Sequence, residues 1–136
     1  MAKPLKLEIV TPFSKVFAGE IAALVAPGSE GYFGVLPGHT PMLATLAIGY
    51  LKVQQQGQDK YFAISGGYAE VGSDQIVVLA ETAEPADKID VNRAQQAKTR
   101  AEERLHAGRK DWDLERARAA LHRSLNRLKV AEVRLH

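Results

Sequence analysis

The spacing of apolar residues along this chain changes once, close to Pro85, and that single change restricts the fold more than any other feature. Before it, apolar side chains alternate with polar ones in short runs, the period of an extended strand. LKLEIV sets Leu5, Leu7 and Ile9 on one face and Lys6 and Glu8 on the other. Similar runs predict strands over 21–26, 32–36, 50–54, 61–65, 68–71 and 75–80. Gly57 marks a hairpin connection, Gly66-Gly67 a tight bend and Gly72-Ser73-Asp74 a further turn. Many short strands at close spacing, with no helical period between them, imply an antiparallel β-sandwich or flattened barrel over residues 1–85.

After Ala86 the apolar residues recur at three, four and seven. Asp90 is placed to cap a helix running from Val91 to His106, with Ala94, Ala97, Ala101 and Leu105 on one stripe. Ala107-Gly108 interrupts it. Asp111 or Asp113 can cap a second helix whose seam is read as Leu114, Ala117, Leu121, Leu125, Leu128 and Leu135. A short link between two such helices makes an antiparallel hairpin over residues 86–136. The fold class is therefore mixed, β then α. Alanine seams bury little area, at ~25 cal/mol per Å², so the hairpin is expected to be the less stable part and a candidate for movement.

Charge follows the same division. Residues 1–85 hold five Lys/Arg against eight Asp/Glu, net −3, whereas residues 86–136 hold thirteen against eight, net +5. Two regions so different in charge are built for different partners. Nucleic acid is a poor one, because Trp112 is the only aromatic in the basic half and the excess charge is modest.

Residues that would support catalysis are missing. There is no cysteine, and the histidines at 39, 106, 122 and 136 have no metal-ligand spacing, so no metal is expected. No G-x-x-x-x-G-K-[ST] loop is present, and the glycines at 28, 31 and 34 do not fit a dinucleotide fingerprint. No window approaches the ~18 apolar residues of a bilayer span, which predicts a soluble, intracellular chain that could sit on a membrane complex without entering the bilayer. What remains is arginine placement. Arg93 and Arg100 lie seven apart on the first helix, and Arg116, Arg123, Arg127 and Arg134 follow at seven, four and seven on the second. Converging stripes would present guanidinium forks shaped for a polyphosphate. The alternative is two solvated faces neutralised by Glu102, Glu103, Glu115 and Glu132.

Five segments carry a family resemblance: LEIVTPFSKVFAGEI, VAPGSEGYFGVLPGHTPML, FAISGGYAEVGSDQIVVLAETAE, IDVNRAQQAKTRAEERL and SLNRLKVAEVRL. In this order they resemble the epsilon subunits of bacterial F-type ATP synthases over nearly the whole chain. The resemblance implies a ten-stranded β-sandwich anchor followed by a mobile helical hairpin, in a regulatory rotor subunit with no catalytic residues. It implies partners in the gamma subunit and the c-ring, peripheral location on the cytoplasmic face of the cell membrane, and inhibition of ATP hydrolysis when the hairpin extends into the alpha/beta hexamer. Some members bind ATP as a regulatory ligand through I/L-D-x-x-R-A, matched here by Ile89, Asp90, Arg93 and Ala94. On that resemblance Glu84, Ile89, Asp90 and Ala94 would surround the adenine, while Arg93, Arg100, Arg123 and Arg127 would face ribose and phosphates. Asn92, inside the motif, has no role assigned.

Overall fold

The computed structural model of the chain describes residues 4–107 and 111–133. The chain divides into two compact units, Met1–Pro85 and Ala86–His136.

The first unit is one curled sheet of eight strands: β1 (Leu5–Val10), β2 (Lys15–Ile21), β3 (Ala23–Gly28), β4 (Gly31–Val35), β5 (Met42–Gln55), β6 (Gln58–Val71), β7 (Gln75–Ala80) and β8 (Ala83–Pro85). Their order is β2-β1-β7-β6-β5-β3-β4, with β8 beside β6. Among the described residues only the β1–β7 pair is parallel. Alternation decides which face turns inward: Leu5, Leu7 and Ile9 are buried, and Leu24, Leu51, Val53, Ile64, Ile76 and Val78 meet them in one core. Burying each such side chain contributes about 1.5–3 kcal/mol. The sheet closes upon itself where the Ala22 N–H donates to the Gln54 carbonyl at 2.8 Å and the Gln55 side chain donates to the Glu20 carbonyl at 2.8 Å.

Several sequence expectations change in detail. The run 21–26 straddles a junction, since Ile21 ends β2 and Ala23 begins β3, and β2 and β8 are strands that the periodicity did not mark. The stretches 61–65 and 68–71 are one continuous strand, β6, and 50–54 is the later part of β5. Gly66-Gly67 is a kink within β6 and not a chain reversal: pairing with β5 keeps one register from Ile48↔Ser65 to Leu46↔Gly67, passing over Gly66, and both glycines have positive φ, 76° and 133°. The described residues form eight strands, close to the ten that the resemblance implies. At Gln56-Gly57 the hairpin expectation holds, with both residues at positive φ as a two-residue turn of this hand requires.

A second irregularity lies between β3 and β5, whose pairing breaks between Val25↔Lys52 and Gly28↔Leu46. Pro27, inside the break, has no N–H to give. The Tyr50 N–H instead donates to the Tyr32 hydroxyl at 3.2 Å, and the two rings lie 4.6 Å apart. Burial pushes the Tyr32 phenol above its ordinary pKa, against the smaller opposing effect of the Tyr50 N–H. Glycine at position 49 is what admits this ring, because a Cβ there would come 2.5 Å from the Tyr32 hydroxyl.

The second unit consists of a short 3-10 turn (Ala86–Lys88), α1 (Val91–Ala107) and α2 (Asp111–Val133). The helices pack against each other, and α2 also packs on the turn. The buried positions are Ala94 and Ala101 on α1, and Ala117, Ser124, Val130 and Ala131 on α2. Ala101 with Ala117, and Ala94 with Ser124, share one sequence midpoint inside the link, as levels of an antiparallel pair must. Buried Ser124 is satisfied locally, its hydroxyl donating to the Ala120 carbonyl at 2.8 Å. The seam is thus made of smaller residues than the leucine series read from the sequence. Leu114, Leu121 and Leu128 are only half-buried, and Leu125 is exposed. Since α2 starts at Asp111, Asp113 lies within the first turn and is not the cap. Gly108, Arg134, Leu135 and His136 are outside the described residues.

Gly67 gives a direct test of the kink. A Cβ at this positive φ would fall within the van der Waals envelope of the Leu79 carbonyl oxygen. Gly67→Ala should therefore destabilise the protein by about 2–4 kcal/mol, combining backbone strain with overpacking. Urea denaturation followed by circular dichroism measures this, and a loss within experimental error of zero would contradict the assigned geometry.

Candidate functional site: the arginine face of the hairpin

The seam fixes where the arginines point. Arg93 and Arg100 each stand one residue before a buried alanine of α1, and Arg116 and Arg123 each stand one residue before a buried position of α2, Ala117 and Ser124. One residue is a turn of about 100° around a helix axis. In an antiparallel pair this same turn carries the side chains of both helices to the same side, because reversing one helix and turning it to face the other invert the sense twice. Arg127 follows Ser124 by three and precedes Ala131 by four, which places it on that side too, closer to the seam. Arg93, Arg100, Arg123 and Arg127 therefore share one side of the hairpin, with Arg93 level with the Arg123–Arg127 stretch and Arg100 nearer the link.

Their environments differ. Arg93 and Arg100 are exposed, whereas Arg123 and Arg127 are half-buried. Arg123 and Arg127, four apart on one helix, carry a like-charge cost of a few tenths of a kcal/mol that an anion would offset.

Asp90 has a structural task. Its Oδ1 accepts the Arg93 backbone N–H at 3.1 Å, while its carbonyl accepts the first helical bond from Ala94 at 3.0 Å, which makes it the N-cap of α1. Ile89 and Ala94 are 3% and 2% exposed, so their motif positions are filled by packing and offer almost no open surface. Glu84 is half-buried on β8, two residues before the second unit begins. Of the motif, then, Asp90 and Arg93 are the members with surface to offer a ligand. Among the described residues no group of three or more acidic, histidine or cysteine side chains is arranged to hold a metal ion.

A second candidate surface escaped the sequence reading. Val10, Leu79, Tyr68 and Thr45 pair side by side across β1, β7, β6 and β5, forming one row on the outer face of the sheet. Tyr68 and Leu79 are 53% and 52% exposed, Leu43 on the next row of β5 is 72% exposed, and Phe13 in the β1–β2 turn is 92% exposed. Large apolar side chains clustered on the outward phase of a strand pattern mark an interaction surface. The signal was present in the sequence as Leu79 and Tyr68 standing where alternation calls for polar residues.

The capping role of Asp90 separates from any ligand role by substitution. Asp90→Ala should lower stability by about 0.5–2 kcal/mol, while Asp90→Ser should retain most of it, since serine caps as well as aspartate. Thermal melts of the two variants test this, and a serine variant as unstable as the alanine one would deny the cap.

Comparison with known proteins covers both units. Residues 4–86 match the family model described as ATP synthase, Delta/Epsilon chain, beta-sandwich domain, and residues 87–132 match the one described as ATP synthase, Delta/Epsilon chain, long alpha-helix domain. The chain is 52% identical over 132 residues to the ATP synthase epsilon chain of Desulforamulus reducens, covering 97% of this chain and all of the relative. It is 44% identical over 129 residues to the ATP synthase epsilon chain of Bacillus velezensis, covering 95% and 98%. Among solved structures, a chain from the OSCP/F1/c-ring structure of Euglena gracilis mitochondrial ATP synthase superimposes with a TM-score of 0.82 at 24% identity, over 100% of this chain and 84% of that one, a likeness of fold.

Proposed function

The chain belongs to the family of ATP synthase epsilon chains, and from that premise we propose that it works as a regulatory, non-catalytic subunit of the central stalk. The β unit is the anchor. The observation that carries this part is a set of exposed large apolar side chains of this unit, Tyr68 and Leu79 on one outer row of β6 and β7, Leu43 on the next row of β5 and Phe13 in the β1–β2 turn, a surface suited to burial against the gamma subunit, with the c-ring as the second rotor contact. The complex holds the chain peripherally, at the cytoplasmic face of the membrane. In agreement with a peripheral position, no helix among the described residues is long and apolar enough to cross a bilayer.

The hairpin is the regulator. Closed, it permits turnover; opened along gamma toward the alpha/beta hexamer, its basic helices meet acidic partner surface and block hydrolysis. ATP is the ligand of the closed form, held by Asp90, Arg93, Arg100, Arg123 and Arg127, with Ile89 and Ala94 shaping the adenine end from within the packed seam. A ligand that binds only the closed form stabilises it by RT ln(1 + [L]/Kd), about 2.7 kcal/mol at a hundredfold excess. Small seam residues make that increment decisive, since the closed state has little buried apolar area of its own. A second reading is favoured by one observation: the motif residues Asp90, Ile89 and Ala94 already have structural employment in capping and packing. In that reading the hairpin inhibits through charge alone and ignores nucleotide.

Two measurements separate these statements. Capture of the purified gamma subunit should succeed with the wild type and weaken at least about tenfold for Tyr68→Glu, as expected when a central apolar anchor is lost. Undiminished capture would remove the apolar row from the interface. Isothermal titration of the full chain with ATP should show one nucleotide per chain, lost in Arg93→Ala. No heat at millimolar ATP, with inhibition still dependent on Arg123 and Arg127, would establish the charge-only reading instead.

A further inference from the structure

Among the described residues the most exposed large apolar side chain is Phe13, 92% exposed in the turn between β1 and β2. The polar groups of that turn hold it in place. The Thr11 N–H donates to the Ser14 carbonyl at 2.9 Å. The Thr11 hydroxyl donates to the same carbonyl at 3.3 Å and accepts the Phe13 and Ser14 N–H groups at 3.3 Å each. One hydroxyl thus uses its single hydrogen and both lone pairs within four residues. Pro12 fixes a further backbone angle immediately before Phe13. On the β2 side the pairing passes from Ile9↔Phe17 to Val10↔Lys15, so Val16 is an extra residue, a bulge of the kind that re-aims a chain.

A ring so exposed adds almost nothing to the core of its own unit, so the order imposed on it acts outward. The same turn walls an open cleft of about 550 Å³ on the outer face of the sheet, where Val10, Thr11 and Pro12 meet Thr45, Tyr68 and Leu79. A partner segment seated in that cleft passes beside Phe13. We infer that Phe13 is the principal anchor of the β unit for the gamma subunit, inserted into an apolar pocket of that partner, and that Thr11 is the positioning residue that presents it. The inference rests on the proposed central-stalk role and deepens it: Tyr68 and Leu79 supply area on the sheet face, whereas Phe13 reaches past the strand ends and calls for a concave partner surface. A side chain already held in one place loses less freedom on docking, so more of its burial appears as affinity. Few residues of an interface carry most of its affinity, and a wholly exposed aromatic on a rigid turn has the most area to lose to a partner.

Binding of purified gamma subunit to the immobilised full chain, followed as association and dissociation rates, provides the test. Phe13→Ala should weaken binding at least about tenfold, mainly through faster dissociation, while its thermal midpoint stays that of the wild type. Thr11→Ala should weaken binding about threefold or more through loss of the hydrogen bonds that fix the turn. Thr11→Ser keeps the hydroxyl and should restore it, and Thr11→Ala should add no loss in the Phe13→Ala background. An equal loss from Thr11→Ala with either residue at position 13 would overturn the positioning role. Phe13→Ala within about twofold of wild type, with Tyr68→Glu still impaired, would overturn the anchor while leaving the sheet face in the interface. Absence of gamma binding by the wild type would end both readings.

Discussion

Small side chains repeated at seven-residue intervals hold the hairpin together, and through that seam they determine the position of every functional group it carries. Ala94, Ala101, Ala117 and Ser124 let two helices approach closely. Close approach brings the flanking guanidiniums of both helices to one side. Larger seam residues would separate the axes and spread the same arginines apart. Ser124 fits this rule as a small residue whose hydroxyl returns to the Ala120 carbonyl, so its burial leaves no polar atom without a partner.

The two units stand in energetic contrast. The sheet buries long aliphatic side chains such as Leu5, Leu7, Ile9, Leu51 and Ile76 in one core, whereas the described residues of the hairpin unit bury mainly alanine. At comparable coefficients per unit area, the first is much costlier to open than the second. A unit that must remain attached to a rotor needs the deep core. On the proposed function, a hairpin that alternates between two arrangements is suited to a shallow one, so that a ligand worth a few kcal/mol decides between them.

Much of this was legible in the sequence because the signals were periodic. LKLEIV became β1 with the expected face inward, the spacing after Pro85 became two helices, and Asp90 caps the first of them. What was missed lay where a local rule was outweighed by packing. Gly66-Gly67 carries the composition of a turn, yet strand pairing on both sides continues through it, and the glycines instead absorb a kink that no other residue fits. Gly49 interrupts the alternation of β5, so Met42–Ile48 did not read as strand, although the glycine serves to admit the Tyr32 ring. On α2 the leucines outweighed the alanines in any hydropathy reading, but closeness of the helix axes is set by the smallest residues. Leu125 was therefore placed in the seam and is exposed. The arginine set was recoverable from spacing, but its common side depends on the seam register, which hydropathy alone assigned one strip away.

That register also gives the proposed regulation its sign. In the proposed mechanism the closed hairpin sets the guanidiniums of both helices on the same side, where their mutual repulsion opposes closure, and opening separates them. A polyanion on the arginine face converts the repulsion into attraction, and it can do so only when both helices are present at the seam spacing. The differential affinity that any ligand-driven change requires is therefore built into the placement of the charges. Asp90 works in the same direction, because its cap at the start of α1 holds Arg93 at the level where the second helix supplies Arg123 and Arg127.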